Sequence, residues 1–281
     1  MEYGTAGEHR MNLVIGDTSS MNEMPSGLLR VIADVAEVSE YIWEKEWTSA
    51  NGGNISCDVT DALPDLYAGK SDNPSLPTRV SVPSLGGRSL LITVSGSRFR
   101  DVRRHPELTL MLVRISADGT RYKVLWGGEC DGAKPTLEFI PHLKIHNDLR
   151  ATGHPHKAIV HTHPIHLIAA THTKEFGTAE FATLLQVSQS TAKVFLSAGV
   201  GMIGYLPGGS ETLADETVRL LRSHSAVLWD RHGCVATGKD VFEGFDTIHM
   251  LEKAAEMFLL CRASGIEPKQ MTGEELKSIG L

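Results

Sequence analysis

The sequence predicts a single α/β domain in which helices cover a large sheet. Helix and strand patterns alternate along 281 residues, of which 41% are hydrophobic and 22% charged, so the chain can bury a large core. No linker rich in proline or glycine divides this core, which favours one layered domain. The chain contains no internal repeat and no low-complexity tract.

The N-terminal segment is predicted to be a loose tail. Residues 1–26 include Glu2, Glu8 and Asp17 and no sustained apolar run, so we do not expect a signal peptide. The domain is therefore expected over 27–281, with a surface insertion at about 61–87. Proline can neither continue a helix nor donate to a central strand, and that insertion contains Pro64, Pro74, Pro77 and Pro83.

The first half of the domain is predicted to contain one helix and several short strands. Apolar residues from Leu28 to Trp43 recur at steps of three and four, which predicts an amphipathic helix that ends before Asn51. Apolar and β-branched runs predict strands at residues 55–59, 89–94, 111–116 and 122–126, the last two joined by a hairpin turn at Asp118-Gly119.

The second half alternates the two kinds of element. Thr136 is the candidate N-cap of a helix from Pro135 to Arg150, and Asp240 that of a helix over 241–262. Further predicted elements are strands at 158–160, 193–196 and 226–229, a helix at 211–224, and a capping box of Thr272 with Glu275.

Charge and cysteine content limit the function classes. The formal net charge is −7, from 27 basic and 34 acidic residues, which argues against binding nucleic acid or an anionic membrane through a basic surface. The apolar runs are far shorter than the ~18 residues that a membrane span requires. Cys57, Cys130, Cys234 and Cys261 form no CxxC pair, so we expect a reducing cytoplasm and neither disulfides nor a thiolate zinc site.

One histidine pair has the spacing of metal ligands. His161-Thr162-His163 follows an apolar strand, whose period of two places both imidazoles on one face, ~6.5 to 7 Å apart at Cα. A catalytic zinc site usually has three protein ligands, and His232 is the best candidate for the third because it follows the strand at 226–229. Chance is the alternative, since 13 histidines also produce the pair His154 and His156 in a polar turn.

Two polar loops and one carboxylate are further candidates. Asn51-Gly52-Gly53-Asn54 can form a concavity of backbone N–H groups that receives an anion, and Ser95-Gly96-Ser97 offers hydroxyl and amide donors. Each motif alone is more often an ordinary turn. Glu138 near a helix N-terminus indicates, by itself, a favourable interaction with the helix dipole.

Taken in order, these motifs resemble those of the class II aldolase/adducin-like family. The resemblance extends from about Leu28 to the C-terminal helix. Its segments are Asn51-Gly-Gly-Asn54, Thr93-Val-Ser95-Gly96-Ser97, Pro135-Thr-Leu-Glu138, His161-Thr-His163-Pro164, Gly199-Val-Gly201 and His232-Gly233. Ordered motifs at compatible spacings are far more specific than any one of them.

The resemblance implies a three-layer α/β/α fold with a large mixed, mainly antiparallel sheet, assembled as a homotetramer. It implies one zinc ion per chain on His161, His163 and His232, with Glu138 as the catalytic acid and base. The implied reaction is the reversible cleavage of a ketose 1-phosphate, above all L-rhamnulose 1-phosphate, to dihydroxyacetone phosphate and L-lactaldehyde. The phosphate would contact the neutral donors of Asn51, Gly53, Asn54, Ser95, Gly96 and Ser97.

Two positions depart from the family pattern, and other functions stay open. Leu137 stands where the family has a serine, and Thr191 where the most similar branch has a second functional glutamate. Alternatives on the same zinc site are fuculose- or ribulose-phosphate cleavage, sugar-phosphate epimerisation and decarboxylation of a 3-oxo sugar acid. A non-enzymatic adducin-like scaffold is disfavoured because the three histidines and Glu138 are present, and a zinc hydrolase because no HExxH motif occurs.

Overall fold

The computed structural model describes residues 24–64, 67, 71–187, 196 and 198–278. Its strands are β1 (Asn54–Asp58), β2 (Leu76–Pro77), β3 (Ser89–Thr93), β4 (Leu110–Ile115), β5 (Arg121–Gly127), β6 (Ala158–Thr162), β7 (Val200–Ile203), β8 (Ala226–Trp229) and β9 (Gly233–Gly238). Its α-helices are α1 (Ser26–Glu44), α2 (Phe99–Val102), α3 (Pro106–Thr109), α4 (Phe139–Ala151), α5 (Ile165–Thr171), α6 (Ala179–Val187), α7 (Glu211–Leu221), α8 (Val241–Ala263) and α9 (Gly273–Ser278).

The strands form one open sheet in the order β2-β5-β4-β3-β1-β6-β9-β8-β7. Every neighbouring pair is antiparallel except β7 and β8, which are parallel. The predicted α/β class with a mixed, mainly antiparallel sheet is therefore confirmed. None of the helices in the described part of the chain is long and apolar enough to cross a membrane.

Both faces of the sheet are covered by helices. Successive side chains of a strand point to opposite faces, so Val160 joins a core with α1, α5, α6 and α8, whereas Ile159 joins a second core with α4 and α7. Leu91 and Leu90 of β3 divide between the two faces in the same way. The result is a three-layer α/β/α arrangement with β1 and β6 at the centre of the sheet.

Several local predictions are confirmed. α1 begins and ends as the apolar periodicity indicates, and β4 and β5 form the hairpin around Asp118-Gly119. Asp240 caps α8, since its side chain accepts a hydrogen bond from the Glu243 N–H at 2.9 Å. Thr272 and Glu275 exchange the two hydrogen bonds of a capping box, at 2.7 and 3.2 Å.

The predicted start of α4 is wrong. The helix begins at Phe139, and Glu138 instead of Thr136 takes the N-cap position. Pro135 forms an antiparallel bridge with Val94, directly after β3, so the residues before the helix pair with the end of that strand. The Glu138 carboxylate makes no capping hydrogen bond to the first turn of α4.

Other elements differ from the sequence prediction or were absent from it. The proline-rich insertion is only partly a surface segment, because Val82 and Leu85 are buried against β3 and β4. The predicted helix at 211–224 ends already at Leu221. The strand predicted at 193–196 lies outside the described residues apart from Leu196, while α5, α6 and β9 were not predicted.

The cap of α8 provides a direct stability test. Asp240→Ala removes the acceptor for the Glu243 N–H and should lower the free energy of unfolding by about 1 kcal/mol, measured as a lower urea midpoint at unchanged m value. Asp240→Asn keeps an oxygen acceptor at the same position and serves as the matched control. Equal midpoints for the alanine variant and the wild type would contradict the capping role.

Candidate metal and catalytic site

Three histidines meet at one end of the central strands. His161 lies in β6, His163 follows the end of that strand, and His232 lies in the hairpin between β8 and β9. The Nε2 atoms of His161 and His163 are 3.2 Å apart. One ligand atom from each of the three rings lies within 4.8 Å of the other two, so the structure brings together the three histidines that the sequence indicated.

The close approach of the hairpin depends on Gly233. A Cβ atom at this position would lie 2.4 Å from the Thr162 carbonyl oxygen and 2.9 Å from Cδ2 of His163. Arg231 adopts a left-handed backbone conformation with φ of 53°, and its N–H donates to Thr171 Oγ1 at 2.9 Å. Glycine is therefore required at position 233, because a side chain there would push His232 away from β6.

His161 and His163 are held as neutral imidazoles. His161 Nδ1 donates to the Cys234 carbonyl oxygen at 2.9 Å, which leaves its Nε2 unprotonated and facing the cluster. Burial lowers the pKa of His161 and of His163 to about 3, with the other histidines of the cluster acting in the same direction. The Trp229 ring packs against His161 at 4.5 Å between centroids and excludes water on that side.

This donor set fits a zinc ion. Neutral imidazole nitrogens are among the ligands that zinc prefers, and tetrahedral ligands with bonds of 2.0 to 2.1 Å are about 3.3 Å apart. The separation between His161 and His163 matches that value. Three protein ligands leave a position for a water or a substrate, which is the pattern of catalytic zinc sites.

Glu138 lies directly against the histidine cluster. Its Oε2 atom is 3.2 Å from Nε2 of His161, and its Oε1 atom is 3.3 Å from Nε2 of His232. The Asn54 side chain donates to Oε2 at 2.7 Å. The carboxylate is buried, and its Oε2 atom accepts the hydrogen bond from Asn54, so it lies beside the histidine cluster instead of capping α4.

A cleft of about 320 Å³ opens beside these groups. Gly53 and Gly96 line it with φ of 83° and 80°, a left-handed conformation that favours glycine. A Cβ atom at Gly53 would also lie 2.8 Å from the His161 carbonyl oxygen. Within the described ranges, the backbone N–H groups of these two glycines have no acceptor, so they are available to an anion. The other lining residues are Ser49, Asn51, Gly52, Asn54, Val94, Ser95, Thr136, Leu137, Glu138, His163, Gly208 and His232.

The predicted phosphate contacts divide into two groups. Asn51, Gly53, Ser95 and Gly96 line the cleft. The side chain of Asn54 lines it too, but its amide is engaged by Glu138. Ser97 is not among the lining residues, and its hydroxyl donates to the Val94 carbonyl oxygen at 2.7 Å.

The two departures from the family pattern have different outcomes. Leu137 lines the cleft with 83% of its surface exposed, so an apolar side chain stands at the rim where the family has a serine. Thr191 lies outside the described residues.

Sequence reasoning missed a second set of polar groups behind Glu138. His142 and His146 of α4 are buried and lie 2.6 and 2.8 Å from the Ser56 hydroxyl. Burial lowers the pKa of His142 to about 3 and that of His146 to about 4. The available signal was the spacing of four that joins both histidines to Glu138, together with the spacing of two that joins Asn54 to Ser56 in β1.

Comparison with known proteins supports a family assignment. A family model described as Class II Aldolase and Adducin N-terminal domain matches residues 33–259. The rhamnulose-1-phosphate aldolase of Bacteroides thetaiotaomicron is 33% identical over 264 residues, which cover 93% of this chain and 97% of that protein. The rhamnulose-1-phosphate aldolase of Pectobacterium carotovorum is 30% identical and covers 89% and 92%, respectively.

Solved structures agree with this assignment. A sugar-phosphate aldolase from Thermotoga maritima superimposes with a TM-score of 0.75 at 32% identity, over 86% of this chain and 98% of that chain. L-fuculose-1-phosphate aldolase from Thermus thermophilus shares the fold, with a TM-score of 0.56 at 21% identity, over 86% and 99%. Because the family model and the relatives cover most of the sequence, the chain belongs to the class II aldolase family.

Proposed function

We propose that the protein is a zinc-dependent lyase that cleaves L-rhamnulose 1-phosphate to dihydroxyacetone phosphate and L-lactaldehyde. The observation that carries this proposal is a buried carboxylate, Glu138, within 3.3 Å of two members of a three-histidine cluster. The choice of sugar is supported by the relatives at 30 and 33% identity, which are named rhamnulose-1-phosphate aldolase.

The reaction requires a stabilised negative charge and two proton transfers. When the bond between C3 and C4 breaks, the C4 hydroxyl loses its proton to solvent in the cleft and C4 becomes the aldehyde carbon, and C3 then gains a proton. The electron pair of the broken bond is shared by C3 and the C2 oxygen as an enediolate. A zinc ion held by His161, His163 and His232 would supply Lewis-acid stabilisation of that charge, worth several kcal/mol.

Glu138 is assigned the proton at C3. In contact with the reacting carbon, its carboxylic acid form, protonated from solvent, can deliver this proton in cleavage, and its carboxylate form can remove it in synthesis, which contributes ~10² to 10⁴ in rate. Its burial and the hydrogen bond from Asn54 restrict the carboxylate to one orientation. Such restriction favours proton transfer on one face of the enediolate.

The substrate phosphate is assigned to neutral donors of the cleft. The free N–H groups of Gly53 and Gly96, with the side chains of Asn51 and Ser95, can bind an anion without a lysine or arginine. This agrees with a chain of net charge −7. Asn54 contributes through Glu138, because its amide is already engaged there.

The proposal extends to a homotetramer that works in a reducing cytoplasm. The cysteines of this chain are free, and burial raises the pKa of the Cys57 and Cys234 thiols. Neither thiol is therefore a reactive thiolate under physiological conditions. The negative net charge also gives no basis for nucleic-acid binding.

The metal assignment predicts about one Zn²⁺ per chain in the purified protein. His161→Ala, His163→Ala and His232→Ala should each lower the zinc retained after dialysis, measured by elemental analysis, because a site with two ligands binds the ion far more weakly. His154→Ala changes the other HxH pair and should keep the zinc. Stoichiometric zinc in a variant with alanine at all three cluster positions would show that the ligands are wrong.

The acid and base assignment predicts a selective loss of turnover. Glu138→Gln should reduce kcat for cleavage of L-rhamnulose 1-phosphate by ~10² or more while zinc content stays at the wild-type level. Glu252→Gln is the matched control, because Glu252 is also buried but accepts hydrogen bonds from the N–H groups of His166 and Leu167. The assay is enzyme-coupled detection of dihydroxyacetone phosphate.

The same assay distinguishes the proposed substrate from its alternatives. We expect the highest kcat/KM for L-rhamnulose 1-phosphate among a panel that includes L-fuculose 1-phosphate, L-ribulose 5-phosphate and unphosphorylated L-rhamnulose. A preference for another phosphoketose would change the sugar and keep the reaction. Zinc-loaded wild-type protein that cleaves none of them would overturn the proposed function.

A further inference from the structure

A row of buried polar side chains connects Glu138 to the interior of the protein. β1 contributes Asn54 and Ser56, and α4 contributes His142 and His146. With Glu138 at the N-cap of α4, each of these five side chains belongs to a residue that is at most 7% exposed. Most residues between the sheet and α4 are apolar, so this row is a distinct feature of that layer.

The row exists because two spacings match. Two residues of a strand advance ~6.6 to 6.8 Å, and four residues of a helix advance ~6 Å. Asn54 and Ser56 are two apart on one face of β1, while Glu138, His142 and His146 are four apart along α4. Side chains of the two elements therefore alternate along the row, and each forms a hydrogen bond with the next.

The hydrogen bonds of the row run in one direction. Asn54 Nδ2 donates to Glu138 Oε2 at 2.7 Å, so its Oδ1 atom must accept from Nε2 of His142. Nδ1 of a neutral His142 then accepts from the Ser56 hydroxyl at 2.6 Å. The Ser56 oxygen in turn accepts from Nε2 of His146 at 2.8 Å. Burial keeps both rings neutral, which supports this single assignment.

The row ends without a further partner. Nδ1 of His146 is buried and has no hydrogen-bond partner among the residues that the structure describes. The Asn54 amide cannot pass a proton along the row, because accepting one at Oδ1 and releasing one at Nδ2 would require an imidic acid. The row therefore cannot supply Glu138 with protons, but it can fix which atom of Asn54 faces the carboxylate.

Stability does not account for these residues. Replacement of buried hydrogen-bonded partners by apolar side chains of the same shape is often neutral or stabilising. The alternative orientation of Asn54 would place Oδ1 against the Glu138 oxygens and repel them. A row that prevents this orientation therefore keeps the N–H donor of Asn54 facing the Glu138 carboxylate.

We propose that Ser56, His142 and His146 are positioning residues, which hold the amide of Asn54 toward Glu138 and thereby aim the carboxylate at the substrate carbon. This inference rests on the proposed function, in which Glu138 moves the proton at C3. The three residues touch neither the substrate nor the metal, so their loss should change kcat and leave KM and zinc content close to the wild-type values.

Three variants of the zinc-loaded enzyme test the kinetic part. His142→Phe removes both ring nitrogens and should lower kcat for cleavage of L-rhamnulose 1-phosphate at least tenfold. His142→Gln places an amide N–H donor near the position of Nε2 and should recover most of that loss. Leu143→Ala is the matched control, a buried neighbour outside the row whose truncation lowers stability and should leave kcat within twofold.

Two outcomes would overturn the inference. They are a wild-type kcat in His142→Phe and a glutamine variant as impaired as the phenylalanine variant. If His142→Phe does not fold, Ser56→Ala is tested in its place, because this variant removes the hydrogen bond to His142 Nδ1 and leaves the histidine ring itself unchanged. Wild-type protein without any aldolase activity would instead contradict the proposed function, and the row would be judged by the following spectrum.

Histidine tautomers give a readout that does not depend on activity. In ¹⁵N-histidine-labelled, zinc-loaded wild-type protein, we expect His142 and His146 both as the Nε2-protonated neutral tautomer, assigned from spectra of the single variants. Ser56→Ala should shift the Nδ1 resonance of His142, which loses its donor. An Nδ1-protonated His142 would reverse the direction of the row and overturn the inference.

Discussion

The pairing of β1 with β6 is the contact on which the site depends. Its register places Asn54 opposite His161, so one cross-strand pair carries both a metal-ligand candidate and the amide that holds Glu138. On its other side, β6 pairs with β9 with Thr162 opposite Cys234, which brings the hairpin of His232 over the cluster. A slip of one residue would turn these side chains to the opposite face and separate them.

The charges of the proposed site would allow an acidic protein to bind a phosphorylated sugar. A divalent ion on the three imidazoles would keep an excess positive charge, since it carries two charges and the Glu138 carboxylate balances one. That charge would lie beside a cleft whose Gly53 and Gly96 N–H groups have no acceptor within the described part of the chain. The site can attract an anion locally although the chain as a whole is negative.

The sequence could predict the parts of the site that depend on local spacing. The period of a strand places His161 and His163 on one face, and His232 follows the end of a recognisable strand. Glu138 was different, because a lone carboxylate has no local signature and only the ordered motifs of a family identified it. The residues predicted to contact the phosphate were also identified from the family motifs. Of these six residues, Ser97 does not line the cleft.

The remaining errors have a common physical cause, which is tertiary contact. Thr136 had the pattern of an N-cap, but the bridge between Pro135 and Val94 delays the helix to Phe139. Polar residues four apart on a helix usually face solvent, so the sequence did not indicate that His142 and His146 are buried. They are buried because Asn54 and Ser56 of β1 form hydrogen bonds with them. β9 lacks a strong apolar pattern and exists because β6 and β8 flank it.

We propose that Glu138 and the histidine cluster form one proton-transfer site beside a sugar fragment bound to the metal. The most direct measurement follows dihydroxyacetone phosphate alone, without aldehyde, in D₂O with zinc-loaded wild-type protein, by proton NMR. A fixed carboxylate on one face of the enediolate predicts replacement of one of the two C3 hydrogens by deuterium, and none in protein stripped of zinc. Bound dihydroxyacetone phosphate that exchanges neither hydrogen, or both at the same rate, would contradict it.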